Sequence, residues 1–302
     1  MTRHIRKATC WLLGFFLCAP LAGREIVVAS YNVENYLPTD RQKDGVLIKN
    51  APKPEREIAA VVNVLSQIQP DIVGLIEIGD ESMLEDLQRR LKAAGLDYSY
   101  REWVKGADEQ RHICLLSKFP IIERNSRNDV RFELDGRMLR MNRGILDVTV
   151  EVTPAYRLRL VGAHLKSRRI VPEYDQALMR AKEAWSLREH IDKILAAAPK
   201  INLLLFGDLN DTKNEYPIRE IIGWKGTSNH MMDLWLRDSR GEHWTYYWKT
   251  ADEYSRVDYL LVSPGLAKEV IAGKCGINDS PYWNEASDHR AIYAVISAVD
   301  RT

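Results

Sequence analysis

The sequence predicts a layered α/β or α+β fold in which two sheets pack together. Two observations lead there. Eight short runs rich in Val, Ile and Leu recur along the chain, bounded by Pro, Asp, Gly or Asn. Between them, apolar residues repeat at helical spacing. Composition agrees, since 45% hydrophobic and 28% charged residues over 302 positions suit a buried core and exclude disordered, collagenous and coiled-coil chains. A single long apolar stretch excludes a multi-pass membrane protein. With 43 basic and 42 acidic residues the net charge is +1, so no global polycation announces nucleic-acid binding.

Residues 1–23 read as a secretory signal. Arg3, Arg6 and Lys7 form a basic head, Trp11–Ala22 is apolar, and small residues follow. The apolar run is short against the ~20 residues of a spanning helix, although an anchor or a buried segment is the alternative. The expectation is a mature chain of residues 24–302, secreted or periplasmic, without stable membrane insertion. Its charge balance turns slightly acidic once the three cations leave. Cys114 and Cys275 remain, as a disulfide that an exported compartment permits or as two separate thiols.

The elements follow in order. Ile26–Ser30 is a strand, and Pro38–Pro54 a polar loop. Ile58, Val61, Val62, Leu65 and Ile68 make one helical stripe between Pro54 and Pro70. After the strand Ile72–Ile76, Leu84, Leu87 and Leu91 make a second stripe, closed by Gly95. Trp103–Gln110 is a second polar loop. His112–Leu116, Ile145–Val150 and Leu158–Ala163 are strands, a third helix runs from about Tyr174 to Ala198, and Leu203–Phe206, Val257–Val262 and Ala291–Ile296 are the last strands. No repeat or low-complexity linker divides the chain.

Polar residues gather at the ends of these runs: Asn32 and Glu34, Glu77, His164, Asp208 and Asn210, Asp258, then Asp288 and His289. Each type has a use in phosphate-ester cleavage. Hard divalent cations take carboxylate oxygens. A His beside a carboxylate is a general acid–base pair. An Asn amide can donate to a developing oxyanion. Asp208 and Asn210, like Asn32 and Glu34, are two apart and share one face of a strand. Singly, each has a plainer reading as a cap, a turn residue or a salt bridge, Arg256 with Asp258 among them. His112, His190, His230 and His243 lack such a setting and read as structural or exposed.

In order, Tyr31-Asn32-Val33-Glu34, Glu77, His164, Gly207-Asp208-Leu209-Asn210, Arg256-Val257-Asp258-Tyr259 and Ser287-Asp288-His289 resemble the endonuclease/exonuclease/phosphatase family over nearly the whole mature chain. The resemblance implies one domain, 24–302, with a four-layer α/β sandwich of two mixed sheets and outer helices. It implies a hydrolase dependent on Mg²⁺ (Mn²⁺ or Ca²⁺ being the other candidates). Glu77 would be the principal metal ligand, supported by Asn32, Glu34 and Asp288. Asp208 would position or activate the attacking water, Asn210 hold a phosphate oxygen, and Asp258 orient His289. His289 would contact the phosphate or share in proton transfer, and His164 serve the leaving oxygen. Lys166, Ser167, Arg168 and Arg169 read as a cationic lip or as a solvated loop. Arg111 and Arg143 are weaker candidates for the same cleft.

The family does not fix the substrate. A nuclease leads, with nucleic acid as the expected partner. A phosphatase or a sphingomyelinase-like phosphodiesterase is the alternative, and a non-catalytic binding protein is remote. Trp244, Tyr246, Tyr247 and Trp248 could stack bases, but their period of two reads better as a strand packed on the core. The two polar loops suggest no membrane-engaging segment, although Tyr282-Trp283 could supply one.

Overall fold

The computed structural model describes residues 24–43 and 45–301. The predicted signal, with Cys10 and Cys18, lies outside the described residues. Two mixed six-stranded sheets face each other. In the first, the order is Gly276–Ile277, Ile292–Ser297, Glu25–Tyr36, Ile72–Ile78, His112–Ser117 and Tyr100–Val104. In the second it is Met232–Asp233, Asp258–Val262, Leu203–Asp208, Tyr156–His164, Leu146–Thr153 and Ile121–Arg124. Helices α1 (Glu55–Ile68) and α2 (Glu81–Ala93) cover the first sheet, and α3 (Gln176–Ala197) and α4 (Tyr216–Ile222) cover the second. The result is the four-layer sandwich.

Strand alternation builds these layers. Ile26 and Val28 enter the core between the sheets, while Ala29, Tyr31 and Val33 pack under α1 and α2. Leu204 and Phe206 likewise face inward, and Leu203 and Leu205 face α3. Phe206 fills the middle of the sandwich because glycines oppose it in both sheets. A Cβ on Gly74 or Gly162 would lie 2.1 or 2.5 Å from its ring. Asp80 and Asp175 cap α2 and α3 by accepting backbone N–H groups of the first turn.

All eight expected strands form, most of them slightly longer than predicted. Pro38–Pro54 corrects one expectation. It holds a hairpin, Thr39–Lys43 with Val46–Ala51, whose Val46, Leu47 and Ile48 are exposed. The aromatic run corrects another. Tyr246–Trp248 pairs with Glu253–Ser255 in a small surface hairpin instead of packing on the core. There Trp244, Tyr247, Tyr254 and Trp283 pack on one another. Cys114 and Cys275 are both free thiols. Among the described residues, no helix is long and apolar enough to cross a membrane.

Candidate active site

Register sets the centre of the site. Leu203–Asp208 pairs with its neighbours so that His164, Asp208 and Asp258 lie side by side across three strands. All three continue the inward-facing parity of Leu160, Phe206 and Leu260, so they emerge at the open end of the inter-sheet core. Asn32 continues the parity of Ile26 and Val28 from the facing sheet, and its amide donates to Asp208 Oδ2 at 3.1 Å. The close approach of Tyr156–His164 to Leu203–Asp208 needs Gly207, with φ +156°, where a Cβ would meet Ala163 O at 1.9 Å.

The carboxylates around this centre are aimed differently. Glu34, Asn35, Glu77 and Asn210 all have left-handed φ, between 48° and 67°. That conformation costs about 1–3 kcal/mol in side chains other than Gly and clusters at functional sites. Ladder registers shift across Asn32/Tyr36 and across Ile76/Ile78, so Glu34 and Glu77 sit at irregularities. Such bulges re-aim side chains that simple alternation would send elsewhere. Glu77 Oε2 accepts the Asn35 N–H at 3.0 Å, and Glu34 Oε2 accepts the Asp288 N–H at 3.1 Å. Ser287 donates to Asn32 O and accepts the His289 N–H, fixing the last segment against the first strand.

His289 is buried between acids. Its Nδ1 lies 2.9 Å from Asp258 Oδ2, and its Nε2 3.7 Å from Asp208 Oδ2. Burial alone would push its pKa down, but Asp258 and Asp208 outweigh it and hold the pKa well above the ordinary value. His164 goes the other way. Burial, then the charges of Arg143, His289, Arg111 and Lys166, hold its pKa well below the ordinary value. The same cleft therefore drives its two histidines in opposite directions, His289 toward the charged form and His164 toward the neutral one. Burial pushes Asp208 up to about 7, with Asp258 adding to it and His289 opposing. Asp208 also accepts the Asn210 N–H at 3.0 Å, while the Asn210 amide donates to Leu165 O.

Glu34, Glu77, His164, Lys166, Ser167, Asp208, Asn210, Asp288, His289 and Arg111 line one cleft of about 600 Å³. Asn32 and Asp258 lie beneath it, tied to Asp208 and His289. Arg168 does not join them. It is exposed and turns away to pair with Asp211, and Arg169 lines the cleft in its place. Arg256 pairs with Asp233, not with Asp258. Sequence reasoning preferred a core place for Tyr246, whose ring in fact lies 4.8 Å from that of His289, and missed Thr245, whose hydroxyl accepts the Asp258 N–H. Tyr246 belongs to the aromatic run that reads as core; only the hairpin pairing turns it to the cleft.

Two acidic groups here could hold a cation. Asp208, Asp258 and His289 offer ligand atoms all within 4.8 Å of one another. Glu34, Glu77 and Asp288 form a more open set. Asp288 is pushed up to about 7 by burial and, against the pull of His289, by the charges of Glu34, Glu77 and Asp208. Such mutual repulsion among oxygen donors fits a hard divalent cation.

The family model described as "Endonuclease/Exonuclease/phosphatase family" matches residues 29–289, a span that contains every one of these groups. The chain belongs to the endonuclease/exonuclease/phosphatase family. Solved structures of similar fold include the human nocturnin catalytic domain with bound sulfate, 17% identical with a TM-score of 0.63, covering 91% of this chain and 95% of that one. Truncated TDP2 of Caenorhabditis elegans is 18% identical with a TM-score of 0.61, covering 91% and 98%. Sphingomyelinase C from Streptomyces griseocarneus is 18% identical with a TM-score of 0.58, covering 90% and 99%. No curated protein matches the sequence. Membership makes the chain a phosphoric ester hydrolase by fold and family, with phosphate esters such as nucleic acids as the family's substrates.

Proposed function

We propose that the chain is an exported, divalent-metal-dependent phosphodiesterase that hydrolyses phosphate esters by in-line attack of water, and that it acts as a nuclease. One observation carries this reading: two buried histidines, His164 and His289, each lie within 3.7 Å of Asp208 in a cleft lined by Glu34, Glu77 and Asp288 and by Arg111, Arg143 and Lys166. Export rests on residues 1–23 alone. Glu34, Glu77 and Asp288 would hold the cation, because Asp258 is already engaged by His289 Nδ1 at 2.9 Å. A divalent cation supplies charge stabilisation to the phosphoryl and leaving oxygens. Asp208 takes the water proton, and burial raises its basicity for that task. His289, kept cationic by Asp258, stabilises charge on the phosphate. Neutral His164, on the opposite side of Asp208, orients the leaving oxygen.

The test uses the mature protein with Mg²⁺, with and without EDTA, on plasmid DNA, RNA, bis(4-nitrophenyl) phosphate and sphingomyelin. EDTA-sensitive cutting of DNA or RNA, lost in Glu77→Gln, is the expected outcome. A lipid phosphodiesterase is the second reading, favoured by the exposed Val46, Leu47 and Ile48. Their hairpin adjoins Glu34, since Lys53 just after it donates to Glu34 O. Cleavage of sphingomyelin but not nucleic acid would replace the nuclease reading with this one. Silence on every substrate would sink both.

A further inference from the structure

The hairpin Thr39–Lys43 with Val46–Ala51, and the residues leading into α1, lie against Glu34 and Asn35. Both have left-handed backbone, with φ of 48° and 54°, at the ladder irregularity between Asn32 and Tyr36. Such backbone persists only where the surroundings over-determine it. Carbonyls beside a break in the ladder need partners from elsewhere. Two cations supply them. Lys53 Nζ donates to Glu34 O at 3.0 Å. Arg41 Nη2 donates to Asn35 O at 2.8 Å, which also accepts the Leu37 N–H at 2.7 Å. Hydrogen bonds from charged donors are the stronger kind.

Lys53 is an unusual residue to keep at this place. Its side chain is 1% exposed, and an ammonium is costly to bury unless it is paired and hydrogen-bonded. Glu57, in the first turn of α1, lies 3.4 Å from Lys53 Nζ and 3.9 Å from Arg41 Nη1. Arg41 is anchored further, with Nε donating to Ala51 O at 3.4 Å. One carboxylate therefore holds both cations, and both cations hold the Glu34–Asn35 turn. That turn reaches every acid of the open set. Glu34 belongs to it, and its Oε2 accepts the Asp288 N–H. The Asn35 N–H donates to Glu77 Oε2.

We propose that Lys53, with Arg41, is a positioning residue for the cation: the pair sets the Glu34–Asn35 turn and, through it, the spacing of Glu34, Glu77 and Asp288. The inference rests on the reading of those three acids as the cation's holders. It also gives a task to the hairpin, which carries Arg41 and leads into Lys53. Removing a group that orients a metal's own ligands typically weakens the metal by about 10–100-fold. The ligands must then be ordered at the moment of binding.

The experiment titrates Mg²⁺ calorimetrically into the wild type, Lys53→Met, Lys53→Arg, Glu77→Gln and Asp147→Asn, at a temperature where circular dichroism shows each folded. Methionine keeps the apolar stem of Lys53 and removes its donor. Asp147→Asn controls for lost stability alone, since it takes a buried carboxylate from Arg159 and His190 under α3. Expected in Lys53→Met is a Kd about tenfold or more above the wild type. Lys53→Arg recovers part of that loss, and Asp147→Asn shows none of it. Hydrolysis of bis(4-nitrophenyl) phosphate by Lys53→Met should need correspondingly more Mg²⁺, with the rate at saturating Mg²⁺ near that of the wild type. An unchanged Kd in Lys53→Met, even with a lower saturating rate, overturns the positioning role and leaves the three acids as holders. An equal loss in Asp147→Asn does the same. If Lys53→Met does not fold, Arg41→Met decides by the same criteria. If the wild type binds no Mg²⁺, or Glu77→Gln binds it equally well, the reading of the three acids fails and the positioning role falls with it.

Discussion

His289 shows how much a single side chain's surroundings decide. Asp258 and Asp208 bracket its imidazole and, against burial, hold its pKa well above the ordinary value. His289→Ala should therefore cut kcat by about 10²–10⁴-fold. Because it leaves Asp258 buried without its partner, it should also lower the melting temperature. Turnover is compared at a temperature where circular dichroism shows both proteins folded. A variant that keeps full turnover contradicts the role. The next residue, Arg290, anchors this position. It is fully buried, donates to Asp238 Oδ2 at 2.7 Å and lies over the Trp244 ring at 4.1 Å. Removing one partner of such a pair strands a buried charge, so Asp238→Ala should destabilise the fold by about 3–5 kcal/mol in denaturant unfolding. The pair also sets a pH dependence. Burial alone would raise the Asp238 pKa, but Arg290 and the N–H groups of Glu242 and Arg240 bring it down to about 2. A depressed folded pKa means stability that is fully present above the ordinary carboxylate value near ~4 and lost as pH falls toward 2. Acid unfolding of the wild type should steepen in that window, and the window should be flatter in Asp238→Asn.

At the scale of elements, strand parity carried most of the site and bulges carried the rest. Asn32, His164, Asp208 and Asp258 follow the inward-facing pattern of their own strands. Their place at the cleft could be read from period-two spacing. Glu34 and Glu77 could not be placed that way, because left-handed backbone at both positions breaks the alternation. The hairpin Tyr246–Trp248 with Glu253–Ser255 misled the same rule. Alternating aromatics look like core until the partner strand is known. Across the sandwich, Phe206 packs closely against Gly74 and Gly162. Gly74→Val should overpack this junction and cost about 1–3 kcal/mol, read by chemical denaturation. An unchanged midpoint would mean that Phe206 has room to move.

At the scale of the whole molecule, two sheets hold acidic groups at a spacing that favours a cation. Glu34 and Glu77 come from the first sheet, Asp208 and Asp258 from the second, and Asp288 and His289 from the segment before the last strand. Folding collects their repulsion, and a bound cation relieves it. Mg²⁺ should therefore raise Tm, by up to ~2.7 kcal/mol of added stability at a hundredfold excess over Kd, and EDTA should reverse the rise. Glu77→Gln should abolish most of that rise, whereas Asp258→Asn should leave it. The opposite pattern would place the cation at Asp208, Asp258 and His289.

The sequence by itself determined eight of the strands, the three long helices, the family and the ordered set of polar residues at strand ends. Those depend on local period, apolar content and short motifs, which a chain displays without its partners. It did not determine the edge strands such as Tyr100–Val104, whose end falls in the expected loop Trp103–Gln110. Only the tertiary structure decided which cations reach the cleft. Arg168 and Arg169 are adjacent, yet Asp211 captures the first, leaving Arg169 at the cleft. It likewise decided the opposite directions in which His164 and His289 are shifted. Each of these is set by groups distant in sequence, whose approach depends on register, bulges and the packing of α3 across two loops.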